Sequence, residues 1–474
     1  MFDRFVEHIE ALGMAPTDEV GLVAYSGGPD STCLLHLLVR AGRQVVAAHL
    51  HHGQREEADS EAMQCEAFAK SLDIGFALGR ADVPKLAQDR RIGIEEAGRL
   101  ARYEFLRRTA NQLSASWIAT GHTKDDHIET VLFHITRGTG LAGLAGIPAQ
   151  NGEIIRPLLP FTRSETRDYC QRHHLWTHDD PCNDDDAFAR VKLRRYVIPA
   201  LKEVHPGFDE AIAQLARLAD EENHLLDGMA AGLLEQAEIR PNGPLFFLTK
   251  DIEAHFSRAR LAMAPHPLIR RAIYLLARML GGESSFDVCD RVAQAVRMGG
   301  SVAFTFGGGD VVAEVDAERV VVRIVHPDTF QRTVLQVPGL TEAVFFGWSI
   351  HAEICPAGPP QRQSTTTYLD LGGIVGDLSI RPPQPGDRME PFGFSGSRKL
   401  AELMREVGLT AAARIRLPLV CDMMGPVWAP GVCVSHRCAA GPDQTHSLRL
   451  SLVSREPGTG NADSASNVKI SEIS

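Results

Sequence analysis

The 474-residue sequence is notable first for what it lacks. No apolar run approaches the roughly 18 residues of a membrane-spanning helix, so no span is expected. The opening residues, MFDRFVEHIEALGMAP, alternate acidic and apolar side chains and have no secretory-signal core. Nine cysteines are scattered without any C-x-x-C pair. That usage fits a reducing, cytoplasmic setting better than a disulfide framework. Cys433, His436 and Cys438 lie close in sequence, but a fourth ligand at zinc-finger spacing is missing. There is no basic excess either. The net charge of −11 argues against a general nucleic-acid binder, although a binding face needs only a local positive stripe. No internal repeat is present.

One further absence lies inside a motif. Residues 24–38, AYSGGPDSTCLLHLL, have the glycines and hydroxyl pair of a phosphate loop, but Asp30 stands where a Walker loop carries lysine. The segment joins an apolar strand to a helix, where backbone N–H groups and the helix dipole favour an anion. Gly27 and Gly28 permit positive φ and close approach to phosphate. Ser26, Ser31 and Thr32 offer hydroxyls. An acid such as Asp30 is compatible with phosphate if a Mg²⁺ ion lies between them. The plain alternative is a Gly-Gly-Pro turn with a capped helix.

What is present is an alternation of strands and helices. Strands are expected at Gly21–Tyr25, Gln44–Leu50 and Ser116–Thr120, and helices at Thr32–Val39, Glu56–Ser71 and Asp125–Arg137. In the second helix Met63, Ala67 and Phe68 are expected to face inward. The pattern implies a doubly wound parallel sheet binding its ligand beyond the strands' carboxyl ends. Residues 206–280 read as helical, with short strands after them near 302–306, 311–315 and 319–325. The division expected is an α/β catalytic domain (1–205), a mainly helical domain (206–330), a connecting segment (331–367), a small α+β domain (368–454) and a disordered tail (455–474). Within the connection, Pro356 to Thr367 reads as a linker.

Further polar clusters lie just beyond the strands. His49-Leu-His-His-Gly comes after strand two. Arg99 and Arg102 lie about one helical turn apart. The segment Thr120-Gly-His-Thr-Lys-Asp-Asp-His-Ile-Glu comes after strand three, with Asp125 or Asp126 opening a helix and Glu129 one turn on. Such carboxylates can orient Mg²⁺, bind an ammonium group or simply cap the helix. Gly138, Gly140 and Gly143 match G-x-G-x-x-G but succeed a helical pattern, which denies them a dinucleotide role. Arg190, Lys192, Arg194, Arg195 and Lys202 form an acid-free basic run suited to phosphate, and residues 381–416 carry seven basic against four acidic residues.

The loop resembles the S-G-G-x-D-S signature of the PP-loop (N-type) ATP pyrophosphatases, which hold pyrophosphate while the α-phosphorus is attacked. Arg137-Gly-Thr-Gly-Leu-Ala-Gly-Leu144, Arg156-Pro-Leu-Leu, Asp180-Pro-Cys-Asn183, Arg381-Pro-Pro-Gln-Pro-Gly-Asp-Arg388 and Arg416-Leu-Pro-Leu-Val420 extend the likeness. Together these segments resemble the tRNA(Ile)-lysidine synthetase family.

That resemblance implies ATP-dependent ligation of lysine to the 2-carbon of the wobble cytidine in a CAU-anticodon isoleucine tRNA. The route is an adenylated cytidine, with release of pyrophosphate and AMP. It implies ATP and Mg²⁺ as cofactors, tRNA(Ile) and free L-lysine as partners, no membrane, and a homodimer as a further expectation. Ser26, Gly27, Gly28, Pro29, Asp30, Ser31, Thr32 and His52 would hold ATP, and Asp30 and Asp126 the metal. Asp30, Arg102, His122, Asp126 and Glu129 would be catalytic. Arg99, Arg190, Lys192, Arg194 and Arg195 would meet substrate or tRNA. Arg190-Val-Lys-Leu-Arg194 departs from the family's Arg-Asn-Arg-x-Arg, and Lys192 lacks an arginine's bidentate fork. The competing readings are a tRNA-thiolating PP-loop enzyme, disfavoured by the missing C-x-x-C, an ammonia-using synthetase, and a nonenzymatic ATP sensor.

Overall fold

The computed structural model describes residues 1–51, 58–178, 189–239, 243–283, 285–441 and 444–454. His52, the 180–183 motif and the tail from 455 lie outside them. Two units divide the chain, Met1–Asn223 and His224–Ser474.

The first unit holds strands β1 (Val20–Ala24), β2 (Gln44–His51), β3 (Gly75–Arg80), β4 (Trp117–Ala119), β5 (Gln150–Asn151) and β6 (Ile154–Ile155). Its helices are α1 (Phe2–Ala11), α2 (Pro29–Arg40), α3 (Ala58–Ser71), α4 (Val83–Arg90), α5 (Ile94–Leu113), α6 (Lys124–Thr136), α7 (Leu141–Leu144), α8 (Arg163–Arg172), α9 (Ala189–Lys192) and α10 (Ile198–Val204). A longer α11 (Phe208–Ala237) carries the point of division. The sheet order is β3-β2-β1-β4-β6-β5, parallel except for the β5–β6 edge. Apolar strand residues such as Leu22 and Val23 are buried on both faces, as parallel strands require. One face packs on Phe5, Leu34, Leu38, Cys65 and Tyr169, and the other on Val83, Ala97, Ala101 and Phe105. β1 pairs with β2 on one side and β4 on the other, so the order reverses beside it. The loops after β1 and β4 therefore open together at the switch point where doubly wound sheets bind ligands.

Helix α3 turns a different face inward from the one expected. Phe68 is half-buried against the core, but Met63 and Ala67 are exposed, and the small residues Ala62, Cys65 and Ala69 are buried. Their i, i+3, i+7 spacing lets the helix lie close to the sheet, and a single large side chain at 63 does not outweigh it.

In the second unit an antiparallel sheet, β7 (Glu253–Ser257), β8 (Val302–Thr305), β9 (Val311–Val315) and β10 (Arg319–Ile324), runs in the order β7-β10-β9-β8. It shares a core with α13 (His266–Met279) and α14 (Phe286–Met298), and the short α12 (Arg258–Ala262) adds Leu261. The remaining strands are β11 (Thr333–Val334), β12 (Gly339–Ala343), β13 (Trp348–Pro356), β14 (Thr366–Leu369), β15 (Ser379–Arg381), β16 (Arg388–Met389), β17 (Arg398–Lys399), β18 (Leu419–Asp422), β19 (Gly425–Ala429), β20 (Cys433–Val434) and β21 (His446–Ser454). They build sheets ordered β11-β15-β18-β19-β20 and β12-β13-β21-β14, with β16–β17 as a separate ribbon and helices α15 (Leu400–Glu406) and α16 (Ala411–Arg416) beside them.

Residues 331–367 are thus more than a connection. Trp348, Ile350 and Ala352 of β13 are buried in one core with Val420, Trp428 and Leu450. Trp348, Ile350 and Ala352 alternate with the exposed His351 and half-buried Glu353, whereas Ser349 is buried as well and Ile354 is exposed. Between β13 and β14 the stretch without strand is confined to residues 357–365.

Candidate active site

Pro29 opens α2, its missing N–H costing nothing at a first helical position. The first intrahelical bond runs from Thr32 N–H to the Gly28 carbonyl at 2.9 Å, so Asp30 and Ser31 present N–H groups that no earlier turn satisfies. Gly27 takes φ +82°, and a Cβ there would meet Cys65 Sγ at 3.0 Å and the Trp176 ring at 3.2 Å. Gly28 does not share that conformation. At φ −70° and ψ 161° it is an extended N-cap that any residue could adopt. Ser31 is nearly buried, its Oγ donating to the Gly28 carbonyl at 3.0 Å and lying 3.1 Å from Ser26 Oγ. Ser26 is exposed at the loop's mouth. Thr32 corrects the expectation made for it. Its side chain is fully buried and its hydroxyl donates to the Gly27 carbonyl, so it braces the loop from beneath.

Asp30 faces two side chains outside the sequence-derived set. Thr166 Oγ1 lies 2.5 Å from Asp30 Oδ1, and Arg163 Nε lies 4.0 Å from Oδ2. Burial pushes the Asp30 carboxyl up to about 6, against the Thr166 bond and Arg163, which pull it down.

The loop after β4 delivers the second carboxylate group. Thr123 and Asp126 form a capping box on α6, with Thr123 N–H and Oγ1 each donating to Asp126 Oδ2 at 2.8 Å. The other oxygen of Asp126 accepts from Arg163 Nη2. Burial opposes ionisation of Asp126, but Arg163 and the Thr123 bonds outweigh it and hold the carboxyl below its ordinary range. Both oxygens are committed, so Asp126 fits a cap and an arginine partner better than the metal-ligand role expected of it. Asp125 Oδ2 accepts the Arg163 backbone N–H at 2.8 Å.

Glu129, one turn further on, is only 2% exposed. Its Oε1 accepts from Arg163 Nη1 at 2.6 Å and Arg194 Nε at 2.7 Å, and its Oε2 accepts from Arg194 Nη2 at 3.1 Å. Arg163 therefore ties Asp126 and Glu129 together beside Asp30. Arg194 reaches Glu129 from a π-helical turn, Leu193–Val197, between α9 and α10. Such wide turns recur at functional sites.

His122 Nδ1 lies 2.8 Å from Thr120 Oγ1. Burial is the main cause pushing its imidazole down to about 4, and Arg156, Arg102 and Arg99 add to it while Asp126 opposes. His122 is therefore neutral at physiological pH, and the fields of Arg99 and Arg102 converge on it. Both arginines are exposed on α5, with the Arg99 guanidinium 5.3 Å from the Tyr103 ring centre.

The basic run divides in two. Arg194 joins the carboxylates, whereas Arg190 lies 6.0 Å from the Phe133 ring centre and Lys192 and Arg195 are exposed. The C-terminal basic excess is partly consumed internally. Arg381 pairs with Asp387 at 2.7 Å, and Arg398 pairs with Glu406. Among the described residues no group of three or more His, Cys, Asp or Glu could hold a metal ion. Cys438 Sγ donates to the Gly373 carbonyl at 3.0 Å, and burial pushes the thiols of Cys433 and Cys438 up to about 12 and about 11.

Arg163 and Thr166 are the site residues absent from the sequence-derived set. One signal marks their helix: Thr162-Arg-Ser-Glu165 is a capping-box pattern, and the box forms at the start of α8.

A PP-loop domain model matches residues 2–201, and a TilS substrate C-terminal domain model matches residues 378–452. The chain is 30% identical over 485 residues to a tRNA(Ile)-lysidine synthase of Symbiobacterium thermophilum, covering 97% of this chain and 99% of that one. A Bacillus cereus protein of the same name is 30% identical over 91% of this chain and 93% of its own. One from Dehalococcoides mccartyi is 29% identical over 94% of this chain and 98% of its own. Extending over nearly the full length of both chains, these similarities show that the protein belongs to the tRNA(Ile)-lysidine synthase family.

Proposed function

We propose that the chain joins lysine to the wobble cytidine of isoleucine tRNA bearing a CAU anticodon, in two steps at the site around Arg163. The cytosine 2-oxygen attacks the α-phosphorus of ATP and expels pyrophosphate. The ε-amine of lysine then adds to the 2-carbon and expels AMP. The carrying observation is the placement of Asp126 and Glu129 beside a phosphate loop that lacks the Walker lysine.

The residues present fit ATP. Two unsatisfied N–H groups, those of Asp30 and Ser31, and the exposed Ser26 hydroxyl line the α2 N-terminus, where an anion is favoured. They also fit Mg²⁺ at Asp30, whose Oδ2 lies no closer than 4.0 Å to its partner cation Arg163. A bound Mg²⁺ would neutralise charge on the departing pyrophosphate.

His122, pushed toward its neutral form by burial and by the charges of Arg156, Arg102 and Arg99, suits the electron-rich cytosine edge, and the two exposed arginines of α5 suit the α-phosphate. Free lysine has a side-chain pKa of about 10.4, so its amine must lose a proton before attack. Glu129 is the carboxylate assigned to that ammonium group and Asp126 its neighbour. Arg194 pairs with Glu129 through both Nε and Nη2. Its transfer to a phosphate of ATP or tRNA would free the carboxylate as the nucleophile arrives. Arg190, Lys192 and Arg195 remain assigned to the RNA backbone. Sulfur transfer is disfavoured, because the sequence has no C-x-x-C pair.

No helix among the described residues is long and apolar enough to cross a membrane. A cytoplasmic, homodimeric enzyme is the companion expectation, the assembly being measurable by sedimentation. The deciding experiment incubates the protein with labelled lysine, ATP and the CAU-bearing isoleucine tRNA, and then analyses the nucleosides. Label in a modified cytidine supports the reading; ATP cleavage without incorporation overturns it.

A further inference from the structure

Helix α8 and the chain that leaves it do more than bring Arg163 and Thr166 to Asp30. They run along the rear of the phosphate loop and bind it at several residues. Thr166 holds the Asp30 side chain near the start of the helix. One turn on, Cys170 Sγ donates to the Pro29 carbonyl at 3.3 Å. Past the helix end, the His178 backbone N–H donates to the Gly27 carbonyl at 2.8 Å. That carbonyl also accepts the longer Thr32 hydroxyl bond at 3.4 Å, so both of its lone pairs are occupied.

The consequence lies across the peptide bond. In a trans peptide the carbonyl of one residue and the N–H of the next point in opposite directions. Holding the Gly27 carbonyl to the rear therefore turns the Gly28 N–H toward the mouth of the loop. There it meets Ser26 Oγ at 3.4 Å, a long contact that leaves it available to a phosphate oxygen. A Gly-Gly peptide is the easiest kind to flip, because neither residue has a Cβ to restrict it. Trp176 opposes that freedom by packing. Its ring stands 3.2 Å from where a Gly27 Cβ would be, and it rests against the core of the first unit. The His178 ring is anchored on α3, with Nε2 2.9 Å from Glu61 Oε1.

We propose that Trp176 and His178 are positioning residues for the pyrophosphate of ATP, locking the Gly27–Gly28 peptide so that its N–H faces the leaving group. A donor oriented in advance stabilises developing charge without reorganising as that charge forms. The proposal rests on the reading of this loop as a pyrophosphate cradle and deepens it. The shape of the cradle is assigned to residues remote from it in sequence.

The test titrates the full-length protein with Mg·ATP, with pyrophosphate and with AMP, in the absence of tRNA and lysine. AMP lacks the phosphates that the loop would hold and serves as the internal reference. His178→Pro deletes the N–H donor and should weaken ATP and pyrophosphate about tenfold, the scale of one hydrogen bond to a charged group, with AMP affinity retained. Trp176→Ala keeps every backbone donor and is the second variant should His178→Pro not fold. It should weaken ATP and pyrophosphate about fivefold, or about 1 kcal/mol, and again spare AMP. Trp176→Phe should restore most of that loss. A merely structural role would lower all three affinities together, and that pattern overturns the proposal. Wild-type pyrophosphate affinity in Trp176→Ala overturns it equally. A wild-type protein that binds pyrophosphate but forms no lysidine would count against the ligation reading and leave the positioning role standing.

Discussion

Arg163 and Glu129 meet at 2.6 Å, joining the first residue of α8 to a carboxylate buried within α6. The same guanidinium reaches Asp126, so one side chain offsets the repulsion of two acids that the fold holds close together. Removing one partner of a buried pair strands the other charge. Arg163→Ala should therefore lose about 3 kcal/mol of stability, read from the urea midpoint. Arg163→Lys should recover part of that loss but little activity, because an ammonium group lacks the fork that spans two carboxylates. Wild-type stability in Arg163→Ala would refute the bridging role.

Asp30→Ala should abolish AMP formation while the fold, read by circular dichroism, is retained. The pH dependence comes from its raised pKa. Burial lifts the folded carboxyl from 3.8 to about 6. Its contribution to stability is thus full below 3.8 and lost as pH rises through about 6. Mg²⁺ needs the ionised form, so Mg·ATP affinity should fall below about pH 6. Asp30→Asn should be more stable than wild type at slightly alkaline pH and should show no such inflection in ATP titrations.

Thr166 is fully buried against Asp30, and its hydrogen bond pulls the carboxyl's pKa down. Thr166→Val keeps the shape and removes the bond. The inflection in Mg·ATP binding should move to higher pH, with nearly unchanged affinity once the carboxyl is fully ionised. An unmoved inflection would separate Thr166 from Asp30.

Arg194 competes with lysine for Glu129 in the mechanism proposed. Arg194→Ala should therefore bind lysine about tenfold more tightly in the absence of tRNA, the scale of a charge-assisted hydrogen bond. Lysidine formation should nevertheless fall, because adenylation loses a phosphate partner. Equilibrium dialysis with labelled lysine and a pyrophosphate-release assay measure the two effects separately.

The parts of the site legible in the sequence are those contiguous in it. Ser26 to Ser31 read as a phosphate loop because strand, glycines and helix succeed one another directly. Asp126 and Glu129 are readable because one helical turn separates them. Arg163 is not, since it meets Asp126 only after β5, β6 and the turn into α8 have folded back onto the sheet. Thr32 misleads for a smaller reason. A hydroxyl beside a loop looks available to ligand, but its position on α2 turns it inward, and only helix phase decides that. In β13 the alternation of Trp348, Ile350 and Ala352 is readable but is overshadowed by the linker-like composition just after it.

The π-helical turn at Leu193–Val197 has a genetic consequence. It accommodates one residue more than an α-helical turn would, and removing that residue would return the segment to ordinary α-helical pitch and take away the wide turn from which Arg194 reaches Glu129. Deleting codon 196 or 197 would leave every charged side chain at the centre of the active site in the gene, yet it would remove the wide turn that presents Arg194 to Glu129. Length in this short stretch is therefore under the same constraint as residue identity, and insertions or deletions here should be as damaging as loss of the arginine itself.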